Sequence, residues 1–309
     1  FEDGYGVDVG LLIDAHTSGA KLAEVDIGEL ENDSQPLLDL AAMANEVSRV
    51  IFNRARDAGR LHIEQVSAMY ESQRQATATL EYVMARRRGR SKVVLISLDG
   101  VVTFDDYVDE IAKVTGQRHA LSKLREAAGA EPGHASQVAK LFQFVHRQQF
   151  ERVAREMPLR PDAIECVNRL RRAGYIVGLL SDNYFVAAEI LRRRVFADFA
   201  LAHTLQFNGD VCSGELRLNP AFFPEQEDGQ GSIGKGQITG RIRNDRTSPT
   251  VSEICAVTGA DADLDLLESA DQAFLLVSTS RAKPTYSRCT RISSLTELAD
   301  LLVDGDASN

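Results

Sequence analysis

Four short segments carry side chains with usable chemistry. Ile96-Ser97-Leu98-Asp99-Gly100-Val101-Val102-Thr103 sets a hydroxyl and a carboxylate two residues apart. Leu179-Leu180-Ser181-Asp182-Asn183-Tyr184-Phe185 supplies a second hydroxyl. Lys235 stands in a loop with Gly229, Gly231, Gly234 and Gly236, and the run from Ala256 to Leu267 carries Asp261, Asp263 and Asp265. A carboxylate can exchange protons, a hydroxyl can donate or attack, and an ammonium can neutralise an anion. Histidine and cysteine offer less. His16, His62, His119, His134, His146 and His203 form no metal-spaced pair, so a histidine-based zinc site is not expected. Cys166, Cys212, Cys255 and Cys289 make no CxxC pair and read as reduced thiols of a cytoplasmic protein.

The elements around these segments predict how they are positioned. Residues 92–98, 175–180, 254–257 and 273–277 are short continuous apolar runs, as expected of strands buried on both faces of a parallel sheet. Helical segments lie between them: residues 105–172 in several pieces, Tyr184 to Arg194, Leu264 to Ala270 and Leu295 to Val303. Phe199 to Leu218 reads as a hairpin turning at Asn208-Gly209-Asp210. Alternating strands and helices argue for an α/β domain with a parallel sheet. In such sheets ligands bind beyond the carboxyl ends of the strands, where all four segments fall.

Taken in order, the segments resemble the four motifs of the haloacid dehalogenase (HAD) superfamily, closest to its phosphoserine phosphatase branch. The resemblance covers about residues 92–280. It implies a Rossmann-like core over 92–303 with a helical cap inserted after the first strand, at about 105–160. By that resemblance Asp99 is the acid/base, Ser181 the phosphate-binding hydroxyl and Lys235 the phosphate-binding cation. It also implies Mg²⁺ and an aspartyl-phosphate intermediate, and here the sequence departs from the pattern. Ser97 occupies the place of the nucleophilic aspartate. The helix register sets Asp263 at the second aspartate of the fourth motif and Gly259 at the first, the metal ligand. An alternative register, Asp261 with Asp265, would restore one metal carboxylate but no nucleophile. Removal of a catalytic nucleophile costs on the order of 10⁶ in rate elsewhere. The expectation is a phosphatase-like domain of weak or no activity, binding a small phosphorylated metabolite or serving as a scaffold. The alternative is an active Mg²⁺-dependent phosphomonoesterase with an altered metal site.

The amino-terminal region resembles another family. Tyr5-Gly6-Val7-Asp8-Val9-Gly10-Leu11-Leu12-Ile13-Asp14, Ala23-Glu24-Val25-Asp26-Ile27-Gly28 and Gln35-Pro36-Leu37 are similar to the carboxyl-terminal part of glucosyl-3-phosphoglycerate synthases. That family has a metal-binding histidine at about the place of Asn32. The resemblance implies that residues 1–60 are the remnant of an upstream glycosyltransferase domain, as a start at Phe1 also suggests. Residues 61–91, with no Pro and one Gly, read as a helical linker closed by Arg86, Arg87, Arg88 and Arg90.

The whole chain has 309 residues, 35 Lys+Arg and 45 Asp+Glu, for a net charge of −10. At about 150 residues per domain that predicts two domains. A nucleic-acid binder would lean basic, so that class is not expected. No apolar stretch reaches the roughly 18 residues of a membrane span.

Overall fold

The computed structural model describes residues 6–21, 23, 25, 37–58, 84, 89–127, 134–223, 234–245, 250–259, 263–277 and 288–303. Contacts divide the chain into two compact units, Phe1–Arg74 and Gln75–Asn309. In the first unit, α1 (Val7–Thr17) and α2 (Leu37–Asp57) are joined by a two-pronged ion pair from Arg54 to Asp14 at 2.6 Å. Gly6 fits there because a Cβ would run into the Val50 Cγ2 methyl. Residues 24 and 26–36 and nearly all of the 61–91 linker lie outside the described residues. Within that linker Arg90 is placed, paired with Asp198 at 2.8 Å.

The second unit is built on a seven-stranded sheet in the order β4-β3-β2-β1-β5-β6-β7. The strands are β1 (Lys92–Ser97), β2 (Tyr175–Tyr184), β3 (Phe199–Asn208), β4 (Val211–Arg217), β5 (Glu253–Thr258), β6 (Gln272–Leu276) and β7 (Thr290–Ile292). All pair in parallel except β3 with β4, the hairpin whose turn uses Gly209 at φ 61°. Alternation sends successive side chains to opposite faces. Val94 and Ile96 join one core with α7 (Ala163–Arg172), α8 (Phe185–Val195) and α11 (Leu295–Val303). Val93 and Leu95 join another with α9 (Gly236–Asn244) and α10 (Leu264–Ser269). Both faces are thus covered, which is why the strand sequences read as unbroken apolar runs.

Two elements differ from the sequence expectation. β2 does not stop at Leu180 but continues to Tyr184, and α8 starts at Phe185. The extension is held by Tyr184 pairing with His203 of β3 and by side-chain bonds from Ser181 and Asn183. β7 carries no apolar run to mark it: it is three residues long, with two of them exposed.

Between β1 and α7 the chain forms α3 (Tyr107–Val114), α4 (Arg118–Ala127), α5 (His134–Leu141) and α6 (Arg147–Glu156). These pack around Tyr107, Ile111, Phe142 and Phe150, together with Tyr184 and Phe207 from the strand ends. The paths into and out of this helical insertion lie side by side, with Thr103 bridged to Leu159 and Arg160 N–H donating to the Val102 carbonyl at 2.9 Å. No described helix is long and apolar enough to cross a membrane.

Candidate functional site

β1 is central, with β2 and the hairpin on one side and β5 on the other, so the chain reverses its direction of growth at β1. A crevice beyond the strand ends is expected at such a switch point. The ends of β1, β2 and β5 supply Ser97, Ser181 and Thr258, each nearly inaccessible to solvent. Ser97 continues the face of Val93 and Leu95 and therefore points toward α9 and α10.

Two hydrogen-bonded groups meet there. The first is centred on Asp263. Its Oδ2 accepts from Ser97 Oγ at 2.7 Å and from Thr258 Oγ1 at 2.8 Å. Its Oδ1 accepts from Lys235 Nζ at 2.9 Å. Lys235 also contacts Asp182 Oδ2 at 2.8 Å. Burial opposes ionisation of Asp263, but the Lys235 charge and the Ser97 and Thr258 hydroxyls outweigh it and hold the carboxyl below its usual range. Burial likewise opposes the Lys235 ammonium, and the Asp182 and Asp263 carboxylates prevail to raise its pKa.

The second group is centred on Asp99. Its Oδ2 accepts from Ser181 Oγ at 2.8 Å and from Asn183 Nδ2 at 2.9 Å. Its Oδ1 accepts from the Tyr107 N–H, at the start of α3, at 3.0 Å. Asp106 caps α3 by accepting from the Val108 and Asp109 N–H groups. Burial pushes the Asp99 carboxyl up to about 6, helped by the Asp106 charge and opposed by the Tyr107 and Ser181 hydrogen bonds and the Lys235 charge.

The structure therefore brings Ser97, Asp99, Ser181, Lys235 and Asp263 to one end of the sheet. Gly259 sits beside them, where a Cβ would lie 3.0 Å from the Gly100 carbonyl oxygen and 3.3 Å from a Val101 methyl. Asp261 lies outside the described residues. Sequence reasoning gave no role to Asp182, Asn183 or Thr258. Strand alternation carried past Leu180 would have paired Asn183 with Ser181 and turned Asp182 toward Lys235.

Mg²⁺ requires hard oxygen ligands, usually carboxylates. Gly259 offers no side-chain donor, Ser97 points its proton at Asp263, and both Asp263 oxygens are already engaged. Among the described residues no group of three or more His, Cys, Asp or Glu could hold a metal. The described residues do not fit the ion. Ser97 does have a carboxylate within reach as proton acceptor. The Lys235 charge holds that carboxyl below its usual range, which lowers its affinity for a hydroxyl proton.

No family model matches the chain. It is 22% identical over 139 residues to a phosphoserine phosphatase of Methanocaldococcus jannaschii, covering 42% of this chain and 66% of that protein. It is 24% identical over 130 residues to one of Archaeoglobus fulgidus, covering 41% of this chain and 38% of that protein. The matches thus span less than two thirds of the length of these relatives. Among solved structures, an apo phosphoserine phosphatase aligns with TM-score 0.55 at 18% identity, over 68% of this chain and 98% of the other. A HAD-family hydrolase of Salmonella enterica serovar Typhi aligns with TM-score 0.57 at 15% identity, over 73% and 81%. The fold is the mixed α/β, Rossmann-like fold of the HAD superfamily, in its phosphoserine-phosphatase-like form.

Proposed function

We propose that the second unit is a phosphoserine-phosphatase-like cleft that has lost efficient hydrolysis and holds a small phosphorylated metabolite. The observation that carries this reading is the Ser97–Asp263–Lys235 chain. Where an attacking carboxylate is needed, a neutral hydroxyl donates a hydrogen bond to Asp263, and Lys235 keeps Asp263 charged. Ser181 and Lys235 remain as the hydroxyl and cation that would face phosphate oxygens. Asp99, beside Ser181, would share its proton with the ligand. The amino-terminal resemblance to glycosyltransferases adds the proposal that this cleft works beside an upstream transferase domain.

A second reading, an active phosphomonoesterase, draws on one observation: a carboxyl titrating near 6 suits a general acid that must also act as a base. One experiment separates the two. The protein is incubated with phosphoserine and phosphoglycerate-type sugars in millimolar Mg²⁺, and phosphate release is followed. The expected result is binding without turnover above background. Robust turnover abolished by Asp99→Asn refutes the first reading.

A further inference from the structure

The two carboxylates on Lys235 are unlike one another. Asp263 is buried and receives three donors, from Ser97, Thr258 and Lys235, so it is a fixed part of the floor. The Asp182 side chain is 60% exposed, while that of Lys235 is 8% exposed. An ammonium has three protons to give. One goes inward to Asp263, and the one facing the open end of the cleft goes to Asp182 Oδ2 at 2.8 Å. A carboxylate oxygen and a phosphate oxygen make the same demand on that proton.

Charge sharpens the conflict. Ser97 and Gly259 contribute no charge, and Lys235, the cation among the described residues at the junction, already faces two anions. A phosphate that approaches Lys235 must displace Asp182 or lie beside it, and either is opposed by like-charge repulsion.

We propose that Asp182 is a built-in competitor for the anion seat on Lys235, so that the cleft takes an anionic ligand only when this carboxylate swings away. The inference rests on the phosphate-cleft reading above. It makes Asp182 a specificity-determining residue: weak or singly charged anions lose to the tethered carboxylate, and a ligand wins by adding contacts that Asp182 cannot make.

The test uses inorganic phosphate as probe, titrated calorimetrically into the full chain in the presence of EDTA. Wild type, Asp182→Asn and Asp182→Ala are compared, with Asp182→Asn/Lys235→Met to locate the seat. Removing an ion pair of this exposure together with one unit of like charge should tighten phosphate binding about tenfold. Both single variants should bind more tightly, and the double variant should lose the gain. Because Asp182 is exposed, Asp182→Asn should melt close to wild type. Equal or weaker binding by both single variants overturns the competitor and leaves the phosphate cleft standing. Undiminished binding by the double variant also overturns it, since phosphate then sits elsewhere. Absence of binding in every protein overturns the phosphate cleft and the competitor with it.

Discussion

Replacing Asp99 by Asn should stabilise the protein progressively as pH rises, relative to wild type. The carboxyl is raised to about 6 in the folded state against 3.8 without its surroundings. Between those values the folded chain keeps a proton that the unfolded chain has released. Wild-type stability therefore falls as pH climbs through that window and is level above it. At about 1.4 kcal/mol per unit, the full loss is at most about 3 kcal/mol, and about 2 kcal/mol of it lies above pH 4.5. The asparagine variant carries no charge at this position and escapes the loss. It has its own constant cost, because an amide nitrogen replaces the oxygen that accepts from Ser181 and Asn183. That cost sets the offset of the curve and not its slope. Urea unfolding of both proteins at intervals from pH 4.5 to 8 isolates the effect, since carboxylates that do not interact with Asp99 cancel in the difference. The variant should gain on wild type by about 2 kcal/mol up to pH 7 and no more beyond. A difference that is flat with pH, or that moves the other way, would refute the burial of a charged Asp99.

Three further outcomes follow from the same geometry. Asp263→Ala leaves Lys235 buried with Asp182 as its remaining ion-pair partner and strands two hydroxyls, so denaturation should show a loss of about 3–5 kcal/mol; a loss below about 1 kcal/mol would mean the network is not formed in solution. Gly178→Ala drives a methyl into the Phe199 ring and should cost about 1–3 kcal/mol or more, with Phe199→Ala in the same chain recovering part of it through coupling between the two sites. Ser97→Asp with Gly259→Asp returns two carboxylates to the sheet end. Millimolar Mg²⁺ should then raise the melting temperature of the double variant and leave wild type unmoved, and an equal response from both proteins would contradict the misfit described above.

The sheet was legible because its central strands are buried on both faces. Val93 to Ile96, Ile176 to Leu180 and Ile254 to Val257 cannot be read as anything amphipathic. The edge hid itself for the opposite reason, since Thr290-Arg291-Ile292 is short and mostly polar. Ser181, Asp182 and Asn183 read as a loop by composition. Their extended conformation depends on Asp99, more than eighty positions away, and no local pattern announces that. The same holds for the site. Asp99, Ser181, Lys235 and Asp263 were marked by motif order, but what each one touches is set by long-range packing. The engagement of Lys235 with Asp182 is invisible until the strand and the loop are brought together.

The bridge between Thr103 and Leu159 has a consequence for how this domain can be taken apart. The backbone leaves the sheet and comes back at nearly the same point, so a turn of a few residues could replace everything between without stretching the remainder. In covalent terms the insertion is detachable. In packing terms it is not, because Tyr184, Ala187, Leu205, Phe207 and Cys212 belong to the body that would remain and are buried by the part removed. A trimmed chain would present those five side chains to water as one apolar face. Shortening at this doorway therefore exchanges a well-covered domain for a sticky one, unless the exposed face is rewritten at the same time.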